Sequence, residues 1–425
     1  MRYLLVGGGG REHAIAHALT TSPEVEHVYV APGNGGTAQG NMRISNVAID
    51  ATDLKGLADF ARDNAIDLTM VGPEAPLADG IVDLFQASGL RCFGPTKQAA
   101  QLESSKAFSK AFMQRWQIPT ARGETFESFE RASAFLDDIS WSPVLKASGL
   151  AAGKGVILPE SKEAAQLALK EMMLDKRFGE AGDQIVVEER LEGYEISLLA
   201  LCDGNDLVCL PAARDHKRLL DDDKGPNTGG MGAIAPVLDP SDALHGELVA
   251  ILQKVMDCMR LDGTPYSGVL YGGFMITEHG PKVLEFNCRF GDPETQAVLP
   301  LLADGCLHEC IVRALDGTLD GFTPQTRTAH AATVVLASGG YPGTYRKGLP
   351  IDGLSQVEEP DTYIFHAGTR RLGQQVLTAG GRVLAVTAVR DNPTDALLSA
   401  NQLAAKVRFE GRHFRRDIGL TGTSK

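Results

Sequence analysis

Apolar blocks and helical stretches alternate along the first hundred residues. RYLLVG, HVYVAP and LTMVGP are the apolar blocks, with REHAIAHALT and LKGLADFARDNA lying between them. That rhythm predicts a parallel sheet with crossover helices. SSKAFSKAFMQR then predicts a helix over 104–115, with Ser104 as its N-cap. From about 119 to 190, PVLKAS, a glycine-rich turn, GVILP, a helix over 161–174 and QIVVEERL predict a smaller unit of the kind that works as a mobile lid. Further strands and helices fill 195–325. A strand-rich tail starts near 327 with TAHAATVVLAS, YIFHAG and QVLTAGGRVLAVTAV, in which AGG reads as a hairpin turn. A last helix is expected over 393–409.

The expected fold class is therefore α/β, in three units. These are an N-terminal parallel-sheet domain over 1–103, a central α+β domain over 104–326 that includes the lid at 119–190, and a strand-rich mixed domain over 327–425. Length agrees, since 425 residues exceed one ordinary core. No repeat or low-complexity linker separates the units, so they are expected to pack as one body.

Composition narrows the partners. A hydrophobic share of 43% and a charged share of 22% are those of a soluble globular chain. No apolar run approaches the ~18 residues that would span a membrane. MRYLLV is too short for a signal-peptide core, and the seven scattered cysteines fit free thiols, so a cytoplasmic location is expected. A net charge of −13 without a basic stripe disfavours nucleic acid, although a few lysines converging on a cleft would still attract small anions.

Candidate chemistry is concentrated in VLEFNCRFGDPET, residues 283–295. Successive side chains on a strand alternate faces, so Glu285 and Asn287 share one face while Leu284 and Phe286 pack on the other. Two hard oxygen ligands side by side suit Mg²⁺ (or Mn²⁺), which is usually held by one or two protein groups plus substrate phosphates. The competing reading is a strand end whose polar residues face water.

Two glycine motifs miss the patterns they first suggest. In GGGGREHA the third glycine of a dinucleotide fingerprint would fall on Glu12 or His13, and HVYVAPGN lacks the acidic ribose ligand. What is left is a backbone nest at a helix N-terminus, able to hold a phosphate, or a tight turn that binds nothing. GLAAGKGV has three residues rather than four between Gly149 and Gly153, and Gly155 follows Lys154 where a P-loop has Ser or Thr. It is expected either as a flexible hairpin closing over a triphosphate, with Lys154 as a point charge, or as a plain turn. In CLHEC, Cys306 and Cys310 share a helix face that His308 does not, which argues against zinc, and Cys288 points away from the Glu285 face.

Taken in order, the motifs resemble one family. GGGGREHA, APGNGGTA, GPEAPL, KASGLAAGKGV, DHKRLLDDDKGPNTGGMGA and VLEFNCRFGDPETQ are similar to those of the phosphoribosylamine–glycine ligases (glycinamide ribonucleotide synthetases) of the ATP-grasp superfamily. The likeness covers essentially the whole chain. It implies ATP-dependent ligation of glycine to 5-phosphoribosylamine through glycyl phosphate, giving glycinamide ribonucleotide, ADP and phosphate in purine biosynthesis, by a monomer or weak dimer.

The resemblance also implies residue roles. Lys106 and Lys146 would touch the ATP phosphates beneath the loop carrying Gly149, Gly153, Lys154 and Gly155. Glu188 and the backbone at Leu191 would address adenine, Glu195 the ribose, and Glu285 and Asn287 the metal. Asp215, His216, Lys217 and Arg218, with Arg289 and Asp292, fall where glycine and the acyl phosphate should lie. Lys146, Asp215, Lys217, Arg289 and Asp292 are the expected catalytic set, with Arg218 on the substrate. Gly8, Gly9, Asn34, Gly35 and Glu74 would serve phosphoribosylamine. Three places depart from the family's pattern: Ser148 stands for an Asp, Tyr194 for a Glu, and Ile234–Ala235 for a Tyr–Ser pair. Two other readings stay open, a sister ATP-grasp enzyme acting on formate or bicarbonate and a nucleotide-responsive binding protein without turnover.

Overall fold

In the computed structural model, residues 1–38, 42–150, 155–357 and 359–420 are described. The N-terminal sheet is fully parallel, in the order Ile44–Asn46, His27–Pro32, Arg2–Gly7, Leu68–Val71, Cys92–Phe93. Its middle strand is buried on both faces, with Tyr3, Leu4, Leu5 and Val6 all at 0% exposure, which is why its sequence shows a continuous block rather than alternation. The two outer strands gave no sequence signal because three and two residues are too few to carry a period.

The helix expected over 104–115 is broken near its start. A short turn covers Gln101–Ser104, and the main helix runs Lys106–Arg115. Ser105, not Ser104, is the cap: it is extended, and its Oγ accepts from the Phe108 N–H at 3.1 Å.

The lid is a four-stranded antiparallel sheet in the order Gly123–Phe126, Ile185–Glu189, Pro143–Ala147, Val156–Ile157, covered by the helices Phe129–Asp138 and Lys162–Met173. It has its own core, which includes Phe126, Leu136, Leu145, Leu169, Met172 and Val187. A separate core lets such a unit shift as a body without opening the rest of the protein.

The central sheet runs Leu207–Cys209, Tyr194–Asp203, Ser267–Thr277, Gly280–Asn287. Glu285 lies opposite Gly273 and Asn287 opposite Tyr271, and the ladder slips by one residue at Gly273/Phe274. This slip corrects one expectation: Phe286 is buried, but Leu284 sits at the irregularity and is only half-buried.

The C-terminal sheet crosses the boundary drawn at 327. Its order is Arg214–Asp215, Gly232–Ala235, His330–Ala337, Arg382–Arg390, Thr362–His366, so its first two strands come from the central region. Ile234 and Ala235 pack here against apolar neighbours. The AGG hairpin does not form. Gln375–Thr378 pairs instead with Thr369–Leu372, while Arg382–Arg390 joins the large sheet. The reason is packing: a Cβ on Gly368 would fall 2.4 Å from the Gly380 Cα, so this glycine admits a second backbone rather than turning a hairpin. The last helix, Pro393–Lys406, starts on an Asn392 cap and stops earlier than 409, at an extended Val407.

Candidate active site

The strand Gly280–Asn287 delivers Glu285 and Asn287 to one face, as alternation requires. Burial alone would push the Glu285 carboxyl up, but Lys217, Lys106, Lys146 and Arg289 outweigh it and hold it below the usual carboxylate range. Four cations thus converge on one acid. Among the described residues no ion pair ties the Glu285 carboxylate to a single partner, and Asn287 Oδ1 accepts from Arg289 Nη2 at 3.1 Å. An ionised, unclaimed carboxylate beside an amide oxygen with a free lone pair fits a hard divalent cation. Glu285 and Asn287 would hold it.

Two buried lysines, Lys146 and Lys110, meet on Glu188. Lys146, on the lid strand Pro143–Ala147, donates to the Leu284 carbonyl at 2.9 Å and pairs with Glu188 at 2.7 Å. Lys110 pairs with the other Glu188 oxygen at 2.9 Å. Burial would raise the Glu188 carboxyl, yet Lys146 and Lys110 hold it below its ordinary value. Its carboxylate is therefore committed to the two lysines and holds Lys146 in place. Burial depresses the Lys106 ammonium, with Glu285 opposing that effect and Lys146 adding to it. The Lys106 N–H donates to the Ser148 carbonyl at 2.8 Å, and Ser148 Oγ accepts from the Ala107 N–H at 3.0 Å, so Ser148 caps the helix that carries Lys106. Gly149 donates to the Ala181 carbonyl, and the Gly155 carbonyl accepts from Ala147. Gly153 and Lys154 lie outside the described residues.

The DHKR segment closes the opposite wall. Lys217 Nζ donates to Glu195 Oε2 at 2.6 Å. Burial disfavours its ammonium, but Glu195, Glu285, Tyr271 and Asp215 hold its pKa well above normal. Asp215 Oδ1 is buried without a hydrogen-bond partner, and burial followed by the neighbouring Glu294 raises its pKa well above the usual range. Arg218 turns away, donating to the Gly225 carbonyl at 2.7 Å within its own hairpin. His216 faces the C-terminal segment, where its Nε2 accepts from the Gly419 N–H at 2.9 Å. Tyr194 carries the Arg214 guanidinium 5.1 Å from its ring centroid. Leu191 lies in the link between Ile185–Glu189 and Tyr194–Asp203.

The N-terminal loops reach the same junction. A Cβ on Gly9 would lie 3.5 Å from Asp292 Oδ2, and one on Gly8 would meet the Gly33 carbonyl at 2.5 Å. The nest is partly filled by the protein itself, since the Gly9 N–H donates to Glu12 Oε2. Asn34 is likewise spent on structure: Nδ2 donates to the carbonyls of Gly8, Gly9 and His366, and Oδ1 accepts from the Gly36 and Thr37 N–H groups. Gly35 donates to the Thr369 carbonyl at 3.1 Å. Glu74 faces Arg289 at 3.9 Å, and Arg289 and Arg11 overcome its burial to keep its pKa low.

Several residues here had no assigned role from sequence. Glu103 pairs with Arg289 at 2.9 Å, and Glu294 accepts from Tyr271 at 2.9 Å and from Ser197 at 3.1 Å. Arg382 pairs with Asp292 at 3.3 Å from the C-terminal sheet. Lys110 was within reach of sequence reasoning, because it lies four residues from Lys106 on one helix face. Outside the site, His308 bridges Tyr3 at 2.7 Å and Glu24 at 3.2 Å, away from the Cys306–Cys310 sulfurs, which are 3.9 Å apart.

Three family models match in order: Phosphoribosylglycinamide synthetase N domain over residues 1–103, its ATP-grasp (A) domain over 104–295, and its C domain over 331–421. A phosphoribosylamine–glycine ligase of Ralstonia nicotianae is 48% identical over 421 residues, covering 99% of both chains. The trifunctional purine biosynthetic protein adenosine-3 of Gallus gallus is 52% identical across 98% of this chain, which spans only 42% of that longer protein. A phosphoribosylamine–glycine ligase structure from Thermotoga maritima superposes with a TM-score of 0.86 at 33% identity, covering 98% of this chain and 100% of the other. From its three matched domains and its full-length relatives, the chain belongs to the phosphoribosylglycinamide synthetase family.

Proposed function

We propose that this protein ligates glycine to 5-phosphoribosylamine at the expense of ATP, through glycyl phosphate. The observation that carries the reading is the convergence of Lys106, Lys146, Lys217 and Arg289 on Glu285, beside the unpartnered buried oxygen of Asp215.

A carboxylate is inert to an amine because its oxygen leaves poorly, and phosphorylation removes that barrier. Phosphoryl transfer needs in-line placement and charge neutralisation more than covalent help. Lys106 and Lys146 supply cations to the triphosphate and Lys217 to the transferring group. A divalent cation on Glu285 and Asn287 would supply further neutralisation of phosphate oxygens. Asp215 Oδ1 lacks a donor, and the ammonium of glycine provides one while favouring the ionised carboxylate. Arg289, whose Nε has no hydrogen-bond partner, steadies the glycine carboxylate and then the acyl phosphate. Asp292, next to the N-terminal glycines, orients the attacking amine. The amine nitrogen bonds the acyl carbon, the carbon–oxygen bond breaks, and phosphate leaves. The lid, with its own core, keeps water off the acyl phosphate.

Formate or bicarbonate as the activated acid is disfavoured because neither offers a cation to Asp215. The seven cysteines are unbridged, which suits a reducing cytoplasmic setting, and among the described residues no helix is long and apolar enough to cross a membrane. The test is phosphate release with ATP, Mg²⁺, glycine and phosphoribosylamine omitted in turn. The reading expects dependence on all four. Turnover with formate or bicarbonate replacing glycine sinks it, as does nucleotide binding without turnover.

A further inference from the structure

Arg382 opens a strand of the C-terminal sheet, yet its guanidinium is spent on the candidate active site. Nη1 donates to the Asp292 carbonyl at 2.8 Å, to the Gly229 carbonyl, and to the Gly230 carbonyl at 3.4 Å. Nη2 lies 3.3 Å from Asp292 Oδ2. The opposite oxygen of Asp292 accepts from Gln296 at 2.7 Å, so both of its oxygens are held. Gly230 has φ +109°, and a Cβ there would fall 2.7 Å from Asp215 Oδ1 and 2.3 Å from Pro293 Cδ. The segment 229–230 is therefore wedged between Asp215 and the Asp292–Pro293 turn, and one planar cation bonds both to the wedge and to Asp292 beside it.

Resting on the glycine-activation reading above, we propose that Arg382 is a positioning residue at the edge of the amino-acid subsite, fixing the spacing between Asp215, which holds glycine, and Asp292, which orients the attacking amine, across the boundary with the C-terminal region. A guanidinium suits this task because its donors form a rigid fork, whereas a lysine ammonium is a single flexible point charge. Spacing set by backbone carbonyls is stiff, and with Gly230 packed against Asp215 the subsite has little room for an amino-acid side chain. The C-terminal region thus takes part in choosing glycine over larger amino acids. Arg382 acts through Asp292 and through the 229–230 backbone packed on Asp215, and needs no contact with ATP.

The test compares wild type with Arg382→Lys and Arg382→Gln, measuring kcat and KM separately for ATP and glycine, the kcat/KM ratio of glycine to alanine, and the urea midpoint. The expected result is a loss of about 10² in kcat/KM for glycine, the size of a subsite misplaced by an ångström, with KM for ATP within about twofold of wild type. The glycine-to-alanine preference should narrow, and Arg382→Lys should be less damaged than Arg382→Gln. Equal losses for ATP and glycine, an unchanged glycine-to-alanine ratio, or wild-type kinetics in both variants would overturn the proposal. If Arg382→Gln does not fold, Arg382→Lys alone decides. A wild type that turns over without glycine refutes the underlying reading instead, and the wild-type measurements show this separately.

Discussion

Lys217 donates to Glu195 at 2.6 Å, joining the side chain proposed for the transferring phosphoryl group to the one proposed for the nucleotide ribose. On the proposed reading, that one ion pair couples nucleotide position to reaction charge. Lys217 is also the foremost of the cations that keep Glu285 ionised. Lys217→Ala should lower kcat by about 10² to 10³, the cost of removing one preorganised electrostatic donor. Glu195→Gln should mainly raise KM for ATP. Steady-state phosphate release checks both, and an unchanged kcat in Lys217→Ala contradicts the assignment.

Glu285 and Asn287 are predicted to set the metal requirement. Glu285→Gln should shift the Mg²⁺ activation curve to concentrations at least about tenfold higher, because losing even a group that only supports a metal ligand typically weakens a site by about 10- to 100-fold. Asn287→Asp should shift it less. Metal titrations at saturating ATP provide the check; superimposable curves for wild type and Glu285→Gln would remove these residues from the metal site.

Glu188 holds two buried ammonium groups, so its removal takes from both the carboxylate they are directly paired with. Glu188→Gln should cost about 3–5 kcal/mol of stability, as for other broken buried pairs. The folded carboxyl lies below its unfolded value, so its stabilisation is present above the ordinary carboxylate range and is lost as pH falls through the folded value. Urea unfolding at neutral pH and at successively lower pH below about 4.3 should show the gap between wild type and variant closing on acidification. A constant gap contradicts the prediction.

His216 and His366 predict a second acid dependence. Burial, with Arg415 and Arg371 nearby, pushes each imidazole down to about 4. Both folded values lie below the unfolded value of about 6.5, so as pH falls the unfolded chain takes up protons first. Stability is complete above about pH 6.5 and declines toward about pH 4, by at most about 3 kcal/mol per histidine. Protonation would also end the acceptance of the Gly419 N–H by His216 Nε2. His216→Gln keeps an acceptor and should flatten the decline between pH 6.5 and 4.5; an identical slope would show that His216 does not contribute.

Local patterns carried much of this architecture. The parallel strands and the shared face of Glu285 and Asn287 follow from burial and alternation within a few residues. What sequence missed is non-local. Arg382 meets Asp292 across 90 positions and Glu103 meets the Cys288 N–H across 185, and no periodicity encodes such contacts. The failed AGG hairpin has the same origin: local turn chemistry suggested one pairing, and the close packing of Gly368 on Gly380 imposed another. Asn34 shows the reverse case, a residue in a legible motif whose side-chain amide is spent on the protein, Oδ1 within its own loop and Nδ2 on Gly8, Gly9 and His366.

The most direct measurement is the fate of oxygen from carboxyl-labelled [¹⁸O]glycine. Activation as glycyl phosphate transfers one carboxyl oxygen to the phosphate that leaves when the amine attacks. Mass analysis of the released phosphate should therefore find one ¹⁸O per turnover, appearing only when phosphoribosylamine is present to complete the ligation. Unlabelled phosphate released alongside glycinamide ribonucleotide would contradict the acyl-phosphate route.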